Sequence, residues 1–307
     1  MGNLKFGTNS PLALYMGVSG STKAYYGTTE VFSGGGTDYS TLYTTMEILT
    51  GGTITLNSNL GTKTISYSLD DGSSWVSAVS GNSITVSAGD KVLWKGTNTS
   101  YATKSIFTTS AYFNVFGNAM SLLYGDDFTG QTVVYEDGLR SLFNALNAVE
   151  AGNFVLPATI LGSNCYYNMF LGCRYLSTAP SLPATTLAAS CYRGMFAGCV
   201  SLTTAPALPA TTLADKCYYN MFSNCSNLTV APDLPAPTLV SECYRGMFIN
   251  ATNLSSIKCL ATDITASNSI TNWLSSVAAS GTFYKPAAVT YPTGASGIPE
   301  GWTVIND

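Results

Sequence analysis

The eight cysteines have the most regular spacing in the chain, and regularly spaced thiols can form disulfides, bind zinc or pack as small apolar groups. All eight follow residue 164. One series repeats every 26 residues: Cys165, Cys191, Cys217 and Cys243. A second series follows eight residues behind the first: Cys173, Cys199 and Cys225. Neither spacing provides the Cys-x-x-Cys pairs that a zinc site favours.

Substitutions in the second cysteine series decide between the two remaining chemistries. The residues that occupy this position in successive repeats are Ala119, Leu146, Cys173, Cys199, Cys225, Ala251 and Val277. A disulfide needs a fixed partner, whereas alanine, leucine and valine also stand at this position. The sequence therefore predicts reduced, buried thiols that act as small apolar side chains. Such thiols suit assembly in a reducing cytoplasm.

The acidic residues and the missing histidine limit the chemistry further. The chain contains no histidine, which excludes histidine-based triads, histidine general bases and nearly all catalytic zinc sites. The carboxylate pairs Asp70–Asp71 and Asp126–Asp127 lack the context of a glycosidase site, and neither has the loop signature of a calcium site. We expect a protein that is not an enzyme, with no catalytic residue, cofactor or metal. Whether Asp126 and Asp127 bind a cation stays open.

One column of side chains is the best candidate for ligand contact. Two residues after the first cysteine position, the successive repeats carry Phe113, Arg140, Tyr167, Arg193, Tyr219 and Arg245. On a helix this position lies about 200° from the cysteine, off the buried stripe. Stacked tyrosine and arginine form a cation–π ladder. We expect Tyr167, Arg193, Tyr219 and Arg245 either to brace the repeats or to contact a glycan or protein.

These columns belong to repeats of 26 or 27 residues, which indicate stacked units. The apolar anchors of the seven units are Phe116, Phe143, Phe170, Phe196, Phe222, Phe248 and Leu274. Counting Cys165 as position 0, the residues at positions 0, 4, 5, 8 and 11 are apolar, which predicts a short helix with one buried face. An extended segment with a Leu-Pro pair follows, as at Leu182-Pro183. The degenerate first and last units are typical of end caps.

The residues before the repeats favour β-structure. Alternating segments such as Thr53 to Leu56 and Lys91 to Trp94 are separated by Gly, Asn and Asp turns, which is typical of a sandwich. Ser68 to Trp75 matches one Asp-box of sialidase-like propellers, and a single box favours a structural hairpin turn. We expect residues 1–36 to form a small β attachment segment that ends in a Gly-rich joint, residues 37–108 the β-sandwich-like module, residues 109–280 the repeats, and residues 281–307 a C-terminal β cap.

Residues 111 to 280 resemble the BspA-like bacterial leucine-rich repeats. The resemblance rests on Met-Phe-x-x-Cys-x-x-Leu followed by Leu-Pro, where that family has Ala-Phe-x-x-Cys-x-x-Leu and a later proline. Met replaces Ala here, and the 26-residue period is longer than usual. The resemblance implies an α+β fold, in which the N-terminal all-β, sandwich-like module precedes a short leucine-rich-repeat solenoid of about seven units. It also implies a surface for adhesion and recognition, with no catalytic residues to transfer.

The composition and the N-terminal sequence indicate the expected location and binding partners of the protein. Net charge is −4 and charged residues are 10% of the chain, which argues against nucleic-acid binding. No stretch is long enough to insert in a membrane, and Met1 to Gly7 lacks the features of a secretory signal. Lys23 to Val31 resembles N-terminal segments of phage tail and virion proteins. We expect a bacteriophage fibre or decoration subunit, located in the virion, that forms homo-oligomers, contacts other virion proteins and recognises a host glycan or protein. The alternative is a secreted or surface-anchored bacterial adhesin.

Overall fold

A computed structural model describes residues 15–16, 22–26, 29–34, 37–101 and 104–306. The strands in chain order are β1 (Tyr15–Met16), β2 (Thr22–Tyr26), β3 (Thr29–Gly34), β4 (Thr44–Ile48), β5 (Gly52–Leu56), β6 (Ile65–Ser68), β7 (Val76–Ala78), β8 (Ser83–Val86), β9 (Lys91–Gly96), β10 (Phe107–Thr109), β11 (Phe113–Asn118), β12 (Val133–Val134), β13 (Phe154–Val155), β14 (Ile160–Leu161), β15 (Ser256–Lys258), β16 (Thr282–Lys285) and β17 (Thr303–Asn306). Within these ranges one α-helix occurs, the four-residue α1 (Ser121–Tyr124).

The prediction of an α+β fold with a leucine-rich-repeat solenoid is wrong. The described chain is all-β-like: it consists of short strands in several sheets and of turns, and its one short helix lies outside the cysteine-containing units. The residues from Cys165 to Gly172, which we predicted to be helical, form consecutive turns. Their backbone conformation, described below, excludes a helix.

The N-terminal segment, residues 1–36, is described only in part. Strands β1, β2 and β3 form a three-stranded antiparallel sheet in that order. Gly35 and Gly36 of the predicted glycine joint lie outside the described residues, as do the segments between these strands.

The predicted β-rich character of residues 37–108 is confirmed. One sheet has the strand order β10-β5-β8, and a six-stranded sheet has the order β13-β11-β4-β9-β6-β7. Alternation decides which side chains are buried: Ile54 and Leu56 of β5 are buried, and the intervening Thr55 is not. The indole of Trp94 on β9 lies 4.8 Å from the ring of Phe107 on β10. The two sheets therefore share one apolar core.

The segment that we expected to be the first repeat is a strand. β11 pairs antiparallel with β4 and parallel with β13, so it joins the β module to the units that follow. Phe116 lies on β11 and is only half-buried, with its ring 5.5 Å from that of Tyr39. Phe113 of the same strand is fully buried. Phe116 is therefore not an anchor of the repeat core, because the alternation of a strand turns it away from the buried Phe113.

From residue 137 to residue 280 the chain forms six units that we call the repeat array. In each unit, positions −1, 3 and 7 relative to the first cysteine position have positive φ; in the second unit these are Asn164, Asn168 and Gly172. A left-handed residue at every fourth position reverses the chain repeatedly and prevents an α-helix. Asparagine and glycine adopt this conformation most readily, and they occupy most of these positions.

Backbone hydrogen bonds in the array alternate between two kinds of acceptor. Met169 N–H donates to the carbonyl of Tyr166 three residues earlier, at 3.2 Å. Its neighbour Phe170 donates to the carbonyl of Met195 in the next unit, at 2.9 Å. The same alternation holds from Asn164 to Cys173. Every second amide therefore joins a unit to its neighbour.

Two aromatic columns fill the space between units. The phenylalanine column consists of Phe143, Phe170, Phe196, Phe222 and Phe248, with neighbouring ring centroids 5.4–5.8 Å apart. The tyrosine column consists of Tyr166, Tyr192, Tyr218 and Tyr244, with spacings of 5.7–6.0 Å. The rings of the phenylalanine column and Leu274 are at most 1% exposed. These rings form the core of the array.

The C-terminal residues extend both kinds of interaction. β15, β16 and β17 form a parallel sheet, in which β15 belongs to the array. Trp273 stacks on Tyr244 at 6.1 Å and on Tyr291 at 6.2 Å, and its indole N–H donates to the carbonyl of Gly297. The aromatic column therefore ends against the C-terminal segment.

Replacing Phe196 by alanine should lower the free energy of unfolding by about 3–5 kcal/mol, because the change leaves a cavity between two stacked rings. Phe116→Ala is the matched control, since Phe116 is half-buried outside the array, and it should cost less than half as much. Urea unfolding measures both. Equal losses in the two variants would contradict the assignment of the core.

Candidate functional site

The turn conformation of the array sets which side chains face outward. In the second unit the buried residues come in pairs four residues apart, Cys165 with Tyr166 and Met169 with Phe170, and the next buried residue is Cys173. The two residues between successive pairs are partly exposed. The candidate position, two residues after the first cysteine position, therefore lies on an outer flank in every unit.

On this flank five side chains form a continuous stack that we call the Tyr/Arg ladder: Arg140, Tyr167, Arg193, Tyr219 and Arg245. The guanidinium carbon of Arg193 lies 5.3 Å from the ring centroid of Tyr167 and 4.5 Å from that of Tyr219. Both faces of this guanidinium are therefore covered by rings, and only its edge remains open to solvent. The structure brings the four candidate residues together and adds Arg140, while Phe113 is buried in β11.

The three arginines of the ladder differ in their acidic partners. Arg140 pairs with Asp137 at 2.9 Å, and Arg245 pairs with Glu242 at 3.0 Å. In both pairs the carboxylate stands three residues before the arginine, at position −1 of the unit. The corresponding residue for Arg193 is Ser190, and within the described ranges the Arg193 guanidinium has neither an ion pair nor a hydrogen bond. Arg193 is thus the ladder arginine whose donors are unused.

Glu242 illustrates the interactions that a carboxylate at position −1 makes with neighbouring cations. Burial opposes its charge, but hydrogen bonds and charge attraction from Lys216 and Arg245 outweigh that cost and hold the pKa of this carboxyl below its ordinary value. Lys216 Nζ lies 3.2 Å from the carboxylate. Position −1 therefore places a carboxylate against the open edge of a ladder arginine.

A second column beside the ladder alternates between asparagine and glycine. Units with tyrosine in the ladder have asparagine next to it, Asn168 and Asn220, and the two later arginine units have Gly194 and Gly246. A Cβ built at Gly194 would overlap the Asn168 side-chain oxygen, and Gly246 meets Asn220 in the same way. Both glycines also have positive φ. The amide side chains therefore occupy space that glycine leaves free.

Together these residues line an open groove of about 590 Å³ along the flank. Its charged lining residues are Arg174 and Arg193, and Tyr167 and Tyr219 lie on either side of Arg193. Asparagine side chains complete the polar lining, and no carboxylate is among the lining residues. On a chain of net charge −4, this groove is locally positive. It offers tyrosine ring edges, amides and a guanidinium edge to one ligand, since arginines cover both faces of Tyr167 and Tyr219.

The carboxylate pairs have structural partners. Asp126 accepts hydrogen bonds from Lys95 at 2.8 Å and from Tyr43 at 2.6 Å, and these bonds hold its pKa below the ordinary value. Asp70 accepts from Ser74 and Ser68 in the hairpin turn between β6 and β7, which lowers its pKa to about 2. In the described part of the chain, no three potential metal ligands gather in one place.

One surface cluster in the β module was not predicted from the sequence. Lys95 Nζ lies 4.2 Å from the ring centroid of Trp75 and pairs with Asp126, while the Tyr43 ring lies 4.8 Å from the indole. Trp75 ends the Asp-box motif and could have drawn attention to this surface. Tyr43 and Asp126 carried no such signal, because they come together only through the fold.

All eight cysteines are buried and outside any disulfide. The second series does more than fill space: Cys173, Cys199 and Cys225 each donate an S–H bond to the carbonyl of the phenylalanine in the preceding unit, at 3.0–3.2 Å. Burial raises the pKa of Cys173 and Cys225 to about 12. These thiols are therefore protonated and unreactive at neutral pH.

Comparison with other proteins gives no relative from which a role could be transferred. No protein-family model, curated protein or solved structure matches this chain. No helix in the described ranges has the length and apolar character that crossing a membrane requires.

The buried thiols predict that stability falls in mild alkali. Unfolded cysteines lose their protons near pH 8.5, whereas the folded thiols keep theirs, so their contribution is complete below that pH and is lost as pH rises toward 12. The free energy of unfolding should fall by about 1.4 kcal/mol per pH unit for each thiol ionised only in the unfolded chain. Urea unfolding in reductant between pH 7 and 10 measures the slope. A flat profile would contradict the burial of the thiols.

Proposed function

We propose that this chain is a non-enzymatic structural protein of a bacteriophage virion, a fibre or decoration subunit, whose repeat array presents a recognition surface to the host cell. The observation that carries the proposal is the Tyr/Arg ladder with its groove. It is a row of aromatic and cationic side chains that repeats along one flank of the array.

The geometry suits recognition of extended surface polymers. Each ladder position offers a ring edge or a guanidinium edge, because the faces are stacked on one another, and such contacts are individually weak. Repetition along the array, and again among the copies of a homo-oligomer, multiplies weak contacts into firm attachment. A bacterial surface glycan or a repetitive surface protein provides the matching repetition.

The thiols favour a virion over a secreted adhesin. Eight buried, unpaired cysteines suit a protein that folds and assembles in a reducing cytoplasm. The resemblance of Lys23 to Val31 to segments of phage tail and virion proteins supports the virion setting, and the resemblance of the repeat motif to BspA-like proteins supports a recognition surface in either setting. These resemblances lie in the sequence motifs and do not depend on a helical repeat.

Two measurements test the proposal. Mass spectrometry of purified particles should detect the chain, and detection only in the bacterial envelope would overturn the virion assignment in favour of a surface adhesin. The fluorescently labelled protein should also bind cells of the bacterial strain on which the particle grows. Absence of any cell binding by the intact oligomer would overturn the recognition role.

Replacing Arg193 and Arg245 by glutamine should reduce cell binding at least about tenfold, since both removed charges face the ladder flank. The matched control is Lys63→Gln with Lys104→Gln, which removes the same charge from the β module and should leave binding unchanged. Thermal unfolding verifies that both variants are folded. Equal binding by the two double variants would assign the ladder to bracing of the units.

A further inference from the structure

We infer that the groove around Arg193 binds one carboxylate-bearing sugar unit of an acidic polysaccharide, an inference that rests on the proposed recognition function and names its ligand class. The ligand carboxylate would accept hydrogen bonds from the open edge of the Arg193 guanidinium. Its pyranose rings would contact the exposed edges of Tyr167 and Tyr219, whose faces are covered by arginines.

Two other arginines of the array already make the arginine–carboxylate contact that we infer for the ligand. Arg140 and Arg245 occupy the same ladder position as Arg193, and each holds a carboxylate at 2.9–3.0 Å. Ser190 stands where Asp137 and Glu242 stand in those units. Arg193 therefore occupies the same ladder position but lacks the acidic partner, and a carboxylate from a ligand would complete the missing ion pair.

The covering of the guanidinium faces selects the shape of the ligand. Tyr167 and Tyr219 stack on the two faces of Arg193, so its N–H groups are reached only along the plane of the guanidinium. A planar carboxylate accepts two parallel N–H bonds in that plane. The Arg174 side chain adds a second positive charge, and the amides of Asn168 and Asn220 provide donors and acceptors for sugar hydroxyls.

The same pattern predicts the number of sites. Arg140 and Arg245 are neutralised by Asp137 and Glu242, so one ladder arginine per chain is open. An acidic oligosaccharide should therefore bind with a stoichiometry of about one per chain.

The pattern also provides matched variants that leave the ladder intact. Ser190→Glu places a carboxylate three residues before Arg193, as Glu242 does before Arg245. Glu242→Ser removes the carboxylate from Arg245 and leaves that arginine open, as Ser190 leaves Arg193. Both changes suit the backbone, because Ser190 has φ 54° and Glu242 has φ 53°.

Calorimetric titration of the full chain with tetragalacturonate, and with the same oligosaccharide methyl-esterified, tests the inference. The acid should bind with a stoichiometry of about one, and the ester at least about tenfold more weakly. Ser190→Glu and Arg193→Gln should each weaken binding of the acid by a similar factor. Glu242→Ser should leave the stoichiometry at about one, because Arg245 has a ring on one face and lies outside the groove lining. Thermal unfolding of each variant serves as the control for folding.

Four outcomes would overturn the inference. Unchanged binding by a folded Ser190→Glu variant would remove Arg193 from the site. Equal binding of acid and ester would exclude a carboxylate ligand, and displacement of the acid by equimolar inorganic phosphate would assign the groove to phosphate. If the parent chain binds cells but does not bind tetragalacturonate, the recognition function holds and the ligand class is wrong.

Discussion

The hydrogen bond from every second amide of one unit to a carbonyl of the next is the interaction on which the repeat array depends. Phe170 to Met195 and Tyr166 to Cys191 are examples, at 2.9 and 3.0 Å. Alternate amides can point to the neighbouring unit only if the chain reverses at short, regular intervals. The left-handed residue at every fourth position supplies those reversals. The fixed separation of units then brings equivalent side chains into contact, which creates both the aromatic columns and the Tyr/Arg ladder.

This conformation has a cost that the contacts between units offset. Positive φ costs a side chain such as Lys216 or Glu242 about 1–2 kcal/mol. Each unit accepts three such positions, and in return it satisfies its backbone amides, while the four middle units each bury two stacked rings. In three units the thiol of the second cysteine series adds a second hydrogen bond to a carbonyl that already accepts a backbone amide. Cysteine fits here because it is small and apolar and also supplies a donor.

Much of the array could be predicted from the sequence, but its backbone could not. The 26-residue period and the burial of Cys165, Met169, Phe170 and Cys173 follow from the apolar pattern. The assignment of a helix was wrong because periods of 3.6 and 4 diverge by only about 80° over eight residues, too little to move side chains to another face. The asparagine or glycine at every fourth position, as in Asn164, Asn168 and Gly172, was the signal for turns.

Other parts of the chain differ in how much of their structure could be predicted from the sequence. Segments such as Thr53 to Leu56 alternate clearly and are strands. Phe116 matched the repeat motif, yet pairing of β11 with β4 placed it in the sheet, which local sequence does not encode. The column of candidate residues could be predicted from the sequence. The open guanidinium edge of Arg193 could be recognised only by comparison with the other units, because it results from Ser190 standing where two other units have an acid. Among the repeated ladder positions, an open guanidinium edge and ring stacking on both guanidinium faces therefore occur together at Arg193.

Hydrogen-bond scalar couplings in the deuterated protein test the backbone account most directly. They detect the carbonyl that each amide contacts. We predict a coupling between the Phe170 amide nitrogen and the Met195 carbonyl carbon, alternating with one between Met169 and Tyr166. Couplings from each amide to the carbonyl four residues earlier, with none between units, would show helices and contradict the account.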